Sequence, residues 1–352
     1  MSALKDDRAV GVPGGRPPSI NDVAAGAGVS IQTVSRVLND SPKVAPATRK
    51  RVLAVIDELG YRRNPVARAL ATGRAGVLGV LAPSSALYGP ASITAALGVA
   101  AVEAGIHLAV EHVIEFEAAS VAQGMNRLTE QLVSAIVVVA PVRAAAAALA
   151  DTTAPVPVVS VDSVPAAGRL DVSVDQEAGG FLATQHLLDL GHDTVWHVAG
   201  PDSWHDAQAR RRGWEAALRA GGREIPPHLD GDWSAGSGYR AGQILARIAD
   251  ATAVFAANDA QALGVLRAMA EAGRRVPQDV SVVGFDDTPE SAHFLPPLTT
   301  VRQEFAELGR TALRTALQLV ALGRGEVVAP VSSVRLPPQL VARRSSAPVT
   351  RG

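Results

Sequence analysis

Two sets of side chains in this sequence have the types and spacing needed for recognition chemistry, and they lie far apart in the chain. The first is Ile31, Gln32, Ser35 and Arg36, which recur on one side of a segment whose Val34, Val37 and Leu38 recur on the other. Gln and Arg can reach base edges with paired hydrogen bonds, while hydroxyl and amide groups such as Ser30, Thr33, Ser35 and Asn39 can hold phosphates. The second set follows apolar runs. Asp162 comes after VPVVSV, Asn258 and Asp259 after AVFAA, Asp286 and Asp287 after VSVVGF, and Arg210 lies in ARRRGW. A hydroxyl-rich ligand both donates and accepts, so carboxylates, an amide and a forked guanidinium at fixed points suit it. Its apolar face needs an aromatic ring; with only 4% aromatic residues in the chain, Trp233 and Phe305 are the candidates. The same carboxylates, Asp162, Asp286 and Asp287, could instead form an acid and base pair for glycoside hydrolysis. His192, in an LGHD turn, reads as a loop-bracing hydrogen-bonder rather than a base.

The elements that must position the first set are short. Ser19 with Asp22 forms a capping box that starts a helix at Ile20, Gly26 and Gly28 break it, and Val29 and Ser30 open the second helix. A third helix is predicted from Pro46 to Leu59, with Val52, Val55, Ile56 and Leu59 on one face and Gly60 as its stop. Ala45 stands at its cap, which weakens the start by about 1 kcal/mol. A helical hairpin of this size also occurs in α proteins that never meet DNA. Asn64 to Thr72, NPVARALAT, reads as a further helix, too short to be stable alone. Residues 1–18 read as a flexible arm.

From Val77 onward, apolar runs alternate with helical stretches: VLGVLA, IHLAVE, AIVVVA, VPVVSV, TVWHVA, AVFAA and VSVVG. These read as buried parallel strands of βαβ units, and the alanine run after Arg143 as a helix. Periodicity alone gives an α/β fold with two sheets. Ligands of such sheets sit beyond the C-terminal ends of the strands, where the second set falls.

Composition narrows the class. With 352 residues, 47% of them hydrophobic, the chain can bury one or two large cores beside a small domain, and disorder throughout is excluded. Residues 1–75 hold 12 Lys or Arg against 6 Asp or Glu, leaving 21 against 28 in the remainder. A basic head of net +6 on an acidic body of net −7 is expected when only the head meets phosphate. Without cysteine there is no disulfide or thiolate metal site. The opening residues lack the apolar core of an export signal and no run is long enough to span a bilayer, so neither export nor a membrane anchor is expected.

The run GVSIQTVSRVLNDSPKVAPATRKRVLAVIDELGYRRNPVARAL resembles the DNA-binding segment of the LacI/GalR family of bacterial repressors, and the resemblance continues through almost the whole chain. It implies an N-terminal all-α helix-turn-helix domain plus an α/β two-lobed periplasmic-binding-protein-like (type I) effector domain. The implied boundaries are 19–62 for the helix-turn-helix domain, 63–75 for a hinge helix or linker, and 76–342 for the effector-binding and dimerisation domain, followed by a 343–352 tail. Within the effector domain the N-lobe takes 76–174 and 303–331 and the C-lobe 175–302 and 332–342, the chain recrossing near Leu298 to Phe305 and near Ser332. Resemblance also assigns DNA contacts to Asn64, Ala67 and Leu70, with Leu70 as a wedge between base pairs of the minor groove and Ala67 beside it.

A sugar-responsive member of that family shares the segments around GDWSA, AND, DDT and PPLTT. Its sugar contacts, carried over, fall on Asp162, Arg210, Trp233, Asn258, Asp286, Gln303 and Phe305, with an apolar wall at Leu87, Pro90 and Ile93. The match departs at Ala260, where that member has glutamine. The implied partners are a near-palindromic operator DNA, a small-molecule sugar effector such as a β-galactoside, and a second copy of the chain, with no cofactor, no metal and no enzymatic activity. Some members continue into leucine heptads that join dimers into tetramers. No heptads follow LVARRSSAPVTRG, which predicts a homodimer. The resemblance implies a cytoplasmic, nucleoid-associated protein. A sugar-binding protein without a DNA role and a corepressor-dependent regulator are the alternatives.

Overall fold

The computed structural model describes residues 18–38, 40–61, 76–114, 117–139, 141–150, 153–162 and 169–349. Two compact units divide the chain between Arg74 and Ala75.

The first unit has three helices, α1 (Ile20–Ala27), α2 (Ile31–Leu38) and α3 (Pro46–Leu59). At the start of α1 the Asp22 carboxylate accepts hydrogen bonds from the Ser19 N–H at 2.8 Å and the Ser19 hydroxyl at 2.7 Å. Gly28, at φ 60°, ends the helix in the left-handed conformation that glycine adopts without steric cost. Gly26 does not break α1 as expected. It lies inside the helix, where an added Cβ would come within 2.8 Å of Val55 Cγ1, so its role is close packing against α3. Val23, Ala24, Ala27, Val34, Val37 and Val52 form the small core, with Val55, Ile56 and Tyr61 against it. Leu59, expected on the inner face, is exposed, and Tyr61 packs against the core just past the helix end.

The second unit contains two sheets. The first lobe begins with β1 (Val77–Pro83), α4 (Tyr88–Glu103), β2 (His107–Val113), α5 (Ala118–Glu130), β3 (Ile136–Val139), α6 (Arg143–Ala150), β4 (Val158–Val161) and β5 (Leu170–Val174). The second lobe runs through α7 (Gln176–Asp189), β6 (Trp196–Val198), α8 (His205–Ala220), α9 (Ala235–Leu245), β7 (Ala253–Ala256), α10 (Asp259–Glu271), β8 (Ser281–Asp286) and β9 (Thr299–Arg302). α11 (Phe305–Gly323) then returns to the first lobe, followed by β10 (Val334–Leu336) and β11 (Gln339–Val341).

Strand order is β10-β5-β4-β3-β1-β2 in the first sheet, all parallel, and β11-β9-β8-β7-β6 in the second, parallel except for β11. Helices cover both faces, which is why β1, β3, β7 and β8 read as continuous apolar runs rather than alternating ones. On the first sheet Val80 and Val137 face α4 and α11 through Leu97 and Ala312, while Leu81 and Val138 face α5 through Met125 and Leu128. The second sheet is likewise packed on both faces, by Val265 and Met269 on one and by Ala183, Leu187 and Trp214 on the other.

The chain crosses between lobes after β5, after β9 and between β10 and β11. That third crossing falls at Pro337 and Pro338 rather than near Ser332, because Val334 to Leu336 pair with Val172 to Val174 in the first sheet. Two prolines without N–H donors cannot extend the ladder, and the strand direction changes there. Residues beyond 342 are not a loose tail as far as 349. Ser345 is buried, receives the Thr299 N–H at 2.7 Å and donates to the Val282 carbonyl at 2.6 Å, so this stretch belongs to the second lobe.

One close approach positions the site. An added Cβ at Gly180 on α7 would stand 2.1 Å from the Arg210 carbonyl oxygen on α8, and one at Gly213 would stand 2.0 Å from that of Glu177. The two helices can therefore lie backbone against backbone, which holds Arg210 against Gln176.

Candidate functional site

The outward face of α2 carries the first set of candidates. Ile31 is 51% exposed despite being apolar, and Gln32 and Arg36 are exposed beside it, while Val34 and Val37 are buried. Ser30 caps the helix by accepting the Thr33 N–H at 3.2 Å, and its hydroxyl meets that of Thr33 at 2.9 Å. Ser35 is half-buried on the same helix. Asn39, Asn64, Ala67 and Leu70 lie outside the described residues.

In the second unit a cavity lies between the lobes, lined by Leu87, Pro90, Ile93, Asp162, Arg210, Trp233, Asn258, Asp286, Gln303 and Phe305. Its position follows from topology. In the first sheet the strand order reverses between β1 and β3. In the second, Leu229 bridges β6 on the side away from β7, so the order reverses between those two. Loops diverge at such points and leave a crevice at the C-terminal strand ends. Leu87 follows β1, Pro141 follows β3, Trp204 follows β6 and Asn258 follows β7, and all four line the cavity.

Three residues of its polar wall, Arg210, Asp286 and Gln303, are joined into a closed hydrogen-bonded ring by Gln176 behind them. Arg210 Nε donates to Gln176 Oε1 at 2.9 Å, and Gln176 Nε2 donates to Gln303 Oε1 at 2.8 Å. Gln303 Nε2 donates to Asp286 Oδ1 at 2.7 Å, and Arg210 Nη2 closes the ring 3.5 Å from that same oxygen. Arg210 Nη1 is tied to the Ala257 carbonyl at 2.5 Å, and the guanidinium carbon sits 3.7 Å from the Phe285 ring centre. Asn258 caps α10 by accepting the Gln261 N–H at 2.8 Å and donates to the Trp233 carbonyl at 3.1 Å. Aromatic groups close the cavity: Tyr88 meets Phe305 edge-on at 5.8 Å, and Trp204 meets Trp233 at 5.6 Å.

Burial raises Asp286 to about 6, with Arg210 and Gln303 opposing the shift. Burial also raises Asp206, to about 7, and pushes Asp162 well above its ordinary range, with Asp206 adding to that effect. Three carboxyls thus share one guanidinium, a shortage of positive charge and donors that ligand hydroxyls can relieve. The backbone is strained in the same place. Among the described non-glycine residues, positive φ occurs at Asp162 (49°), Trp233 (70°), Asp286 (104°) and Asp287 (53°), besides Asp40 and Leu132. Strain of this kind is kept where a geometry is held for a ligand.

Two early candidates do not face the cavity. Asp259 accepts the Thr300 hydroxyl at 2.6 Å and the Thr288 N–H at 2.8 Å, and burial raises it to about 7. Asp287 is gripped by Arg302 at 2.6 Å and Arg343 at 2.5 Å; burial opposes its ionisation, but those bonds outweigh it and hold the carboxyl below its ordinary value. Both brace the loop after β8. His192 bonds the Thr252 hydroxyl at 3.0 Å, as a loop brace does. Half-buried Ala260 does not line the cavity. Four residues were not read from the sequence: Tyr88, Trp204, Asp206 and Gln176. Asp206 had a signal, since it precedes Arg210 by four residues and so shares its helical face. Gln176 had none, because its role depends on crossing strands that meet only in the folded chain.

Residues 19–64 match the family described as bacterial regulatory proteins, lacI family, and residues 184–346 match the periplasmic binding protein-like domain. The chain belongs to the lacI family and is a DNA-binding transcriptional regulator of that class. It is 36% identical over 333 residues to the lactose operon repressor of Escherichia coli (strain K12), an alignment covering 94% of this chain and 91% of that one. A crystal structure of the Lac repressor dimer bound to operator and the anti-inducer ONPF superimposes with a TM-score of 0.84 at 36% identity, covering 94% of this chain and all of that one. The complex of the transcriptional regulator CelR with cellobiose gives a TM-score of 0.65 at 33% identity, covering 93% of this chain and 99% of that one.

Proposed function

We propose that this protein represses carbohydrate-utilisation genes and is released from a near-palindromic operator by a sugar, with a β-galactoside or related glycoside as the best-fitting class. The ring of Asp286, Gln303, Gln176 and Arg210 carries this reading, because it offers fixed donors and acceptors beside apolar and aromatic walls. A homodimer places two copies of α2 in successive major grooves, with Ile31, Gln32 and Arg36 on bases and Ser30, Thr33, Ser35 and Asn39 on phosphates. Asn64 contacts the DNA, and Leu70 wedges into the minor groove with Ala67 beside it, so Leu70→Ala abolishes operator binding and bending and leaves sugar binding unchanged. The setting is the cytoplasm, on the nucleoid.

The cavity encloses only about 30 Å³, space for about two waters, so a sugar ring enters only when its walls separate. That requirement supplies the difference in affinity through which a ligand shifts a conformational equilibrium. Coupling of this kind is typically about 1–3 kcal/mol and reciprocal. Calorimetric titration of the protein with methyl β-D-galactoside, alone and saturated with operator duplex, tests it: operator weakens sugar binding by the factor that sugar weakens operator binding. Equal affinities defeat the inducer reading, and tighter sugar binding on DNA makes the sugar a corepressor. Hydrolysis is disfavoured because Asp287, one of the candidate carboxylates, is locked between two arginines.

A further inference from the structure

Among the described residues the cavity between the lobes is lined by three carboxyls, Asp162, Asp206 and Asp286, and by one guanidinium, Arg210. That guanidinium is already engaged: Nε on Gln176, Nη1 on the Ala257 carbonyl and Nη2 beside Asp286. Asp162, only 5% exposed, accepts the Val174 N–H on Oδ1 at 3.1 Å, and its other oxygen receives nothing from the described residues. None of them donates to the Asp206 carboxyl either. The two stand on opposite lobes, Asp162 just after β4 and Asp206 in the first turn of α8. Buried Asp171 on β5 adds to the negative field at both. Nearby arginines do not make up the deficit. Arg212 pairs with Glu177 at 3.0 Å and Arg335 lies 3.9 Å from Asp175, while Arg143 is exposed and screened by water.

A ligand hydroxyl gives such a carboxyl a donor but no charge, whereas an ammonium group gives both. Its hydrogen bonds to carboxylates are shorter and roughly twice as strong as neutral ones, and the advantage grows where water is excluded. The rest of the wall suits a sugar ring, with Trp233 and Phe305 as apolar surfaces and Asn258 and Gln303 as amides. We infer that the effector is an amino sugar, its ammonium group held between Asp162 of the first lobe and Asp206 of the second while its ring lies against Trp233 and Phe305. This rests on the sugar reading of the cavity, and it adds the charge of the ligand. Burial raises Asp206 to about 7 and Asp162 well above its ordinary range, and a cation between them lowers both.

Isothermal titration of the full-length protein at mildly acidic pH, where the amines are charged, compares the methyl β-glycosides of galactose and glucose with their 2-amino and 6-amino counterparts and with the N-acetyl derivatives of those amines. At least one amine binds about tenfold tighter than its parent sugar or better, and acetylation, which keeps the nitrogen but removes its charge, abolishes the margin. Asp206→Asn brings that amine to within about twofold of its parent, whatever the substitution does to the parent itself. If Asp206→Asn does not fold by circular dichroism, Asp206→Ser serves the same comparison. Amines that bind no tighter than their parents overturn the amino-sugar assignment alone, as does a margin that survives acetylation or the loss of the Asp206 carboxyl. No saturable binding by any of the sugars, charged or neutral, overturns the sugar reading itself and this assignment with it.

Discussion

The two units use opposite ways of presenting chemistry. In the first, Ile31, Gln32 and Arg36 stand exposed on one eight-residue helix over a core of six buried small or branched residues. In the second, Arg210, Asp286 and Gln303 are buried and assembled from three separate segments, α8, the end of β8 and the turn after β9. An exposed local array tolerates loss of one member without structural damage, because water replaces the lost partner. A buried ring does not, because each member satisfies another's charge or hydrogen bond.

The largest expected effect is at the ring. Arg210→Ala leaves Asp286 buried without its cation, destabilises the second unit by about 3–5 kcal/mol and abolishes sugar binding; chemical denaturation with and without sugar measures both. On α2, Arg36→Ala or Gln32→Ala weakens operator binding by about 1–3 kcal/mol each, read by fluorescence anisotropy, with unchanged sugar affinity and melting temperature. A large shift in melting temperature from either would erase the distinction between the two units.

A third test uses pH. The folded protein holds Asp206 near 7 and Asp286 near 6, against an ordinary value of 3.8, so it binds protons that the unfolded chain releases. Their stabilising contribution is full below about pH 4 and is lost as pH rises through 6 to 7. Asp206→Asn flattens that fall and raises the melting temperature at pH 8 by about 2–4 °C, as about 1 kcal/mol would in a unit of this size. The smallest effect is at the third helix. Ala45→Ser supplies a missing cap worth about 1 kcal/mol, seen as slower hydrogen exchange in the first turn of α3.

The same contrast explains what could be read from the sequence. α3 was legible to the residue because Pro46 and Gly60 mark its ends locally. Strands buried on both faces were legible as apolar runs, but β10 and β11 were not. They have three residues each, and their partners β5 and β9 lie far away in the chain. Arg210 and Asp286 came from their place after structural elements and from family resemblance. Gln176, Trp204 and Tyr88 became visible only when the lobes faced each other, whereas Asp206 could have been found from its place one helical turn before Arg210.

Because β10 is the last strand of one sheet and β11, with Ser345, the last piece of the other, neither lobe is finished until residues 334–345 have been made. Synthesis from the N-terminus therefore gives this effector unit no early, self-sufficient half. A ribosome stalled before Val334 would release a chain with two open sheet edges rather than one folded lobe and one missing.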